Sequence, residues 1–292
     1  MSPAAPTSPR LYFLDWLRIA AFGLLVLYHV GMYYVSWDWH VKSPHAGTAL
    51  EPWMMLSSPW RLGLLFLVSG AASSLMLARA PDRFLARRSQ RLLLPLLAGM
   101  AVIVPPQTYF ELVHHFGYAQ GWGDFLRRYF SGDPSFCRAG GCLKMPTWNH
   151  LWFVAYLWVY TAVLAALLRW RPGLLDAGAR QLGLQPGLLS LVVLPVAVLA
   201  VSRMALLTRF PPTHALVGDL YNHVLYGSLF AAGAVLARCP AAWARMEGWR
   251  WPALAFSLAT WALLVAYFEY YGDAHPPPEA IRQAQRVLYA AL

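Results

Sequence analysis

The first apolar run of the chain, "YFLDWLRIAAFGLLVLYHVGMYYV" over residues 12–35, contains a carboxylate, a guanidinium and an imidazole: Asp15, Arg18 and His29. On a helix, Asp15, Arg18, Phe22, Leu25 and His29 succeed one another at steps of three, four, three and four, and so form one stripe. Arg18 and His29 point within roughly 20° of each other and stand roughly 16 Å apart along the axis. An ionisable side chain costs about 2.5–3.5 kcal/mol to insert at mid-bilayer, which predicts that the stripe faces a bundle interior or a water-filled path. Asp15 can pair with Arg18 across one turn. A neutral imidazole at depth accepts protons, so His29 is a candidate general base. Two plainer readings stand beside these: an Arg18 that snorkels to the interface, and a His29 that only hydrogen-bonds a neighbouring helix.

Three further stretches carry groups of the right kind. "RFLARRSQRLLLP", residues 83–95, holds Arg83, Arg87, Arg88 and Arg91 between the second and third apolar runs. Arg88 and Arg91 share a helical face, and forked guanidiniums suit phosphate oxygens; taken alone, the cluster reads first as a headgroup anchor. "TWNHLWFVAYLWVY", residues 147–160, sets Asn149, His150 and Trp152 at the start of another run, where an aromatic belt with an Asn cap is the plainer reading. "LLFLVSGAASS", residues 64–74, concentrates Ser69, Gly70, Ala71 and Ala72, which permits close helix contact. Trp39 and His40 belong to a polar, aromatic segment over residues 36–59, and a longer one covers 115–149. Exposed Trp and Tyr beside polar groups suit a sugar-binding surface, and suit interfacial anchoring equally. No metal-ligand pattern is present. Cys137 and Cys142 flank two glycines without nearby His, and read as a disulfide, with two free thiols the alternative.

The elements that must position these groups follow from composition. The 292 residues are 59% hydrophobic and only 12% charged, about half the charge of a soluble domain. This predicts an all-α, polytopic transmembrane bundle. Spans are expected at about 12–35, 60–79, 92–114, 150–169, 186–207, 220–237 and 252–271, each long enough for a hydrocarbon core. "RVLYAAL" at the end either lies at the interface or reads as the start of an eighth, in which case residues 1–292 read as one transmembrane domain lacking its last spans. No cleavable signal peptide is evident in "MSPAAPTSPR". The net charge of +10 sits in short loops, which excludes nucleic acid as a partner. The Arg bias predicts a cytoplasmic N-terminus, with 80–91 inside and 115–149 outside.

Together these residues resemble the acyltransferase 3 family of membrane O-acyltransferases. Arg18, ten residues, then His29; "FLVSG" at 66–70; Arg88 and Arg91 as R-x-x-R; and "HLWF" at 150–153 match its patterns. The resemblance covers residues 11–170 and thins to general hydropathy beyond. "YFLDWLR", "WHVKS" (39–43) and "FPPTHALVG" (210–218) are similar to the branch that succinylates osmoregulated periplasmic glucans.

The resemblance implies an enzyme of the bacterial inner membrane. It would move a succinyl or acetyl group from cytoplasmic acyl-CoA to a hydroxyl of an extracytoplasmic glycan, here a periplasmic glucan. Its partners would be acyl-CoA as co-substrate, the glycan and the bilayer, with no permanently bound cofactor and no metal. Asp15, Arg18 and His29 would be catalytic; Arg87, Arg88, Arg91 and Ser69 would hold CoA; Trp39, His40, Asn149, His150 and Trp152 would meet the acceptor. No serine or cysteine is placed as a nucleophile, which favours direct transfer. A succinyl donor would want a nearby cation such as Arg61. The alternatives are a proton-coupled transporter, for which Pro95 and Pro195 are possible helix kinks, and a non-catalytic scaffold.

Overall fold

The computed structural model describes residues 12–138, 141–272 and 275–292. Among them, six helical segments are long and apolar enough to cross a membrane, and a seventh if one bent pair counts as a single span. The protein is a multi-pass helical membrane protein.

Helix α1 (Tyr12–Tyr34) is followed by α2 (Glu51–Ser57), which continues into α3 (Arg61–Arg79) as one candidate span. The third span is longer than the apolar run suggests. It begins at Pro81, runs through α4 (Phe84–Ala98), a π-helical turn (Gly99–Ile103) and α5 (Val104–Phe116), and covers 36 residues. At 1.5 Å per residue it outreaches a hydrocarbon core by roughly 20 Å. Of the Arg cluster expected between spans, Arg87, Arg88 and Arg91 therefore lie on helix α4 itself, and Arg83 closes the 3-10 turn before it. Pro95 is carried inside α4. Pro105, Pro106 and Pro195 each lie four residues beyond a member of a π-helical turn, Ala101, Val102 and Leu191 respectively. A proline ring displaces the carbonyl four residues earlier, and a wider turn accommodates that.

Beyond the third span, α6 (Trp122–Ser131) and a two-residue ladder, β1 (Cys137–Arg138) with β2 (Gly141–Cys142), fold residues 117–138 and 141–146 into a small cap; Cys137 and Cys142 are bridged. Gly117 (φ 62°) and Gly132 (φ 73°) end α5 and α6 in left-handed conformations that suit glycine. Phe125 and Tyr129 of α6 are fully buried against Val104, Leu112 and Phe136. The Tyr129 hydroxyl lies 2.9 Å from the carbonyl oxygen of Met100, inside the π-helical turn.

Next come α7 (Trp152–Trp170), α8 (Leu174–Leu184), α9 (Leu194–Leu206), α10 (Leu220–Leu236), α11 (Pro240–Gly248), α12 (Arg250–Tyr270) and α13 (Glu279–Ala291). Helices α10 and α11 meet at 106°. The final stretch, "RVLYAAL", forms the second half of an amphipathic helix that starts at Glu279 and packs on α9 and α12.

The tightest seam joins α3 and α10. A Cβ on Gly70 would lie 1.9 Å from the Phe230 carbonyl oxygen, and one on Gly233 equally close, at 1.9 Å, to that of Leu67. Only glycine lets the two backbones approach so far. Around this seam an aromatic core forms from Phe66, Trp152, Phe153, Tyr156 and Phe230.

Candidate active site

Arg88 is the buried member of the basic cluster. It is 9% exposed, and its Nη2 donates to Ser69 Oγ at 2.7 Å. Its Nε finds no partner among the described residues. Arg91 and Arg18 are the charges that act on it, and both are exposed, as is Arg87. The two ends of the sequence motif in α1 therefore part company: Arg18 belongs with Arg88 and Ser69, while His29 lies eleven residues along the helix. Asp15, one turn before Arg18, is half-buried on the same basic side.

His29 lines a cavity of about 470 Å³ at the opposite end, shared with Trp39, His40, Asn149, His150 and Trp152. All the residues expected to meet an acceptor thus converge, from α1, the 36–43 segment and the start of α7. Neither Asp15, Arg18, Arg87, Arg88, Arg91 nor Ser69 lines it. Within it, His29 Nδ1 lies 2.6 Å from the Leu25 carbonyl oxygen. A carbonyl only accepts, so Nδ1 carries the proton and Nε2 keeps the lone pair. The His29 ring contacts His150 (centroids 5.8 Å) and Trp39 (5.4 Å).

The cavity also holds Arg61, named above only as a cation for a succinyl donor, and residues that the sequence analysis did not single out. Arg61 opens α3 and is 6% exposed, with its guanidinium 3.2 Å above the Tyr28 ring. Its Nε and Nη1 have no hydrogen-bond partner among the described residues. Glu111 of α5, also 6% exposed, accepts from His40 Nδ1 at 2.8 Å. The rule that an ionisable group in an apolar run is functional until explained would have flagged both. His214 and Tyr289 carry no such signal. His214 stacks on Trp152 at 4.3 Å. Its segment is held down by Asp219, whose Oδ2 lies 2.6 Å from the Tyr156 hydroxyl and accepts from His214 N and Asn222 Nδ2, both at 2.9 Å. Tyr289 arrives on α13, pinned by Arg203 at 4.0 Å from its ring.

The bundle thus sets a basic cluster, with Arg88 buried, near one end and an imidazole cavity near the other. Residues 11–290 match the family model described as an acyltransferase domain, and the chain belongs to the acyltransferase 3 family. Among curated proteins it is similar to the glucans biosynthesis protein C of Escherichia coli strain K12, 25% identical over 224 residues, 76% of this chain and 55% of that protein. The protein of the same name from Salmonella gallinarum is 26% identical over 166 residues, 56% of this chain and 41% of that one. The chain spans about half the length of the curated relatives it matches. No solved structure matches it. Membership of the family implies an acyl donor and an acceptor.

Proposed function

We propose that the protein is an acyl-CoA-dependent O-acyltransferase that acylates a hydroxyl of a glycan across the bacterial inner membrane. The observation that carries this reading is His29: its Nδ1 is committed to the Leu25 carbonyl, which leaves an unprotonated Nε2 in a cavity rimmed by aromatic and polar side chains. His29 Nε2 takes the proton of the acceptor hydroxyl, and the oxygen attacks the thioester carbonyl carbon. The tetrahedral intermediate collapses with cleavage of the C–S bond, and the departing CoA thiolate recovers the proton from His29. One ester forms as one thioester breaks, with no enzyme-bound acyl group. Arg88, supported by Ser69 and flanked by Arg18 and Arg91, holds the CoA phosphates.

The Arg79–Arg91 end is cytoplasmic and the cap is periplasmic in this reading. The Arg bias and the Cys137–Cys142 bridge both support that orientation. Arg61 keeps Nε and Nη1 without a hydrogen-bond partner among the described residues, which favours a succinyl donor over an acetyl one. The name of the relatives, and the Trp39 and Trp152 rings, favour a glucan acceptor.

The test is transfer from acyl-CoA to periplasmic glucan in membranes. His29→Gln keeps a hydrogen-bonding side chain but cannot take a proton at neutral pH, and should lower transfer by about 10²–10⁴. The same variant should keep the thermal shift that CoA produces. Near-normal transfer by His29→Gln would return His29 to a packing role. Absence of any CoA shift in the wild type would favour the proton-coupled transporter instead.

A further inference from the structure

Glu111 has no part in the transfer described above, yet a carboxylate taken out of water in a membrane bundle persists only when it is paired. Its partner is His40, whose Nδ1 lies 2.8 Å from Glu111 Oε2. Fastening a loop does not explain the pair. The 36–43 segment is already held: Lys42 Nζ donates to the carbonyls of Met32 at 2.8 Å and Val35 at 2.7 Å, and Ser43 N donates to that of Tyr33 at 3.0 Å. Nor is the imidazole sealed in, since its side chain is 25% exposed and lines the His29 cavity. Because the carboxylate accepts from Nδ1, neutral His40 carries its lone pair on Nε2. The site thus presents two imidazoles of matching polarity, each with Nδ1 committed and Nε2 open. Trp39 lies between them, its ring 5.4 Å from His29 and 4.7 Å from His40.

We propose that His40, oriented by Glu111, selects the acceptor: its Nε2 accepts a hydrogen bond from a second hydroxyl of the sugar whose first hydroxyl is held by His29. The proposal rests on the transferase reading and adds the form of the acceptor. A ring presenting two hydroxyls past Trp39 satisfies both imidazoles at once. An isolated alcohol, or a sugar turned to offer another pair, leaves one nitrogen facing the cavity without a donor, and a site built for a hydroxyl rejects an analogue that lacks it. No proton moves at His40. Its function is to fix which hydroxyl meets His29, so the product is esterified at a single position. Glu111 is a positioning residue that holds the His40 tautomer.

The test uses the full chain in membranes, succinyl-CoA as donor and β-glucan oligosaccharides as acceptors, with ester positions mapped by NMR. Wild type should yield one positional ester. His40→Ala and the isosteric Glu111→Gln should spread the ester over several positions and raise the acceptor KM about fivefold to tenfold, the loss of one neutral hydrogen bond. The donor KM and the CoA thermal shift should not move, and Glu111→Asp should restore part of the selectivity. A merely structural pair would lower stability and both KM values together. A second measurement needs no variant: wild type offered oligosaccharides deoxygenated beside the esterified position should lose the same factor. Unchanged position and unchanged acceptor KM in the variants, or undiminished use of the deoxy acceptors, would overturn the proposal. Full activity of His29→Gln would instead overturn the base assignment and leave the selectivity result to stand on its own. No ester from wild type would remove both.

Discussion

Arg61 is a guanidinium stacked on Tyr28 with two N–H groups unpaired among the described residues. Glu111, a carboxylate lining the same cavity, is taken by His40. A buried cation in a bundle costs stability unless an anion meets it, and here a substrate can supply one. Arg61→Met keeps the volume and the contact with Tyr28 while removing the charge. If the donor carries a distal carboxylate, the ratio of succinyl to acetyl transfer, read as kcat/KM, should fall about 10- to 100-fold, the worth of a charge-assisted hydrogen bond of about 1.5–3 kcal/mol. Acetyl transfer should hold or rise, because the variant no longer buries an unpaired charge. An unchanged ratio would assign Arg61 a purely structural role.

At the scale of elements, two joints govern whether the site exists. The α3–α10 seam has no room for a methyl group: at Gly70 it would overlap the Phe230 carbonyl at 1.9 Å. Gly70→Ala must push the helices apart, and should cost at least the ~1–3 kcal/mol of ordinary overpacking. Ser69, its neighbour, then moves relative to Arg88, so the CoA shift should weaken too. Gly23→Ala on α1, with open space around it, is the control and should be neutral or slightly stabilising. Equal melting temperatures for the two variants would show that the seam yields.

The second joint is the cap. Asp124 accepts from the Tyr118 hydroxyl at 2.8 Å and from Arg128 Nε at 2.9 Å, and Arg128 Nη1 donates to Asp133 at 3.2 Å. The Tyr118 hydrogen bond and then Arg128 hold the Asp124 carboxyl below its ordinary value of 3.8, and Asp133 is lowered by its hydrogen bonds from Ser135. Burial and Asp124 push the Tyr118 phenol up to about 12. A carboxyl whose folded pKa is depressed stabilises fully above its unfolded value and loses that contribution as pH falls through the folded one. Protection factors in α6, corrected for intrinsic exchange, should therefore be high at neutral pH and fall as the pH drops through the depressed carboxyl values. Asp124→Asn should flatten that dependence. An acid response identical in the variant would assign it to other groups.

At the scale of the molecule, the basic cluster and the imidazole cavity lie toward opposite ends of α1, so transfer across the membrane requires a defined orientation. Single thiols at Arg127, whose side chain is 78% exposed on the cap, and at Asp82, exposed before α4, report it. The bridged Cys137 and Cys142 and the buried Cys239 leave little background. Arg127→Cys should react with an impermeant maleimide added to intact spheroplasts, and Asp82→Cys only after permeabilisation. The opposite pattern would put donor and acceptor on the wrong sides and end the proposed mechanism.

The sequence by itself determined the helical bundle, the approximate spans, the close-contact residues around Gly70 and the family, because hydropathy, helical periodicity and short motifs are local properties that one stretch of chain carries alone. It also marked Asp15, Arg18 and His29 as out of place in lipid. Only the tertiary structure decided which of these share a site. His40 meets Glu111 across 71 residues, His115 meets the Trp39 carbonyl across 76, and Tyr156 meets Asp219 across 63. Such pairs depend on how helices cross and how far a span overshoots the bilayer, and neither is written in any one segment. Packing of α13 against α9 and α12 brings Tyr289 into the cavity, which its own segment does not announce.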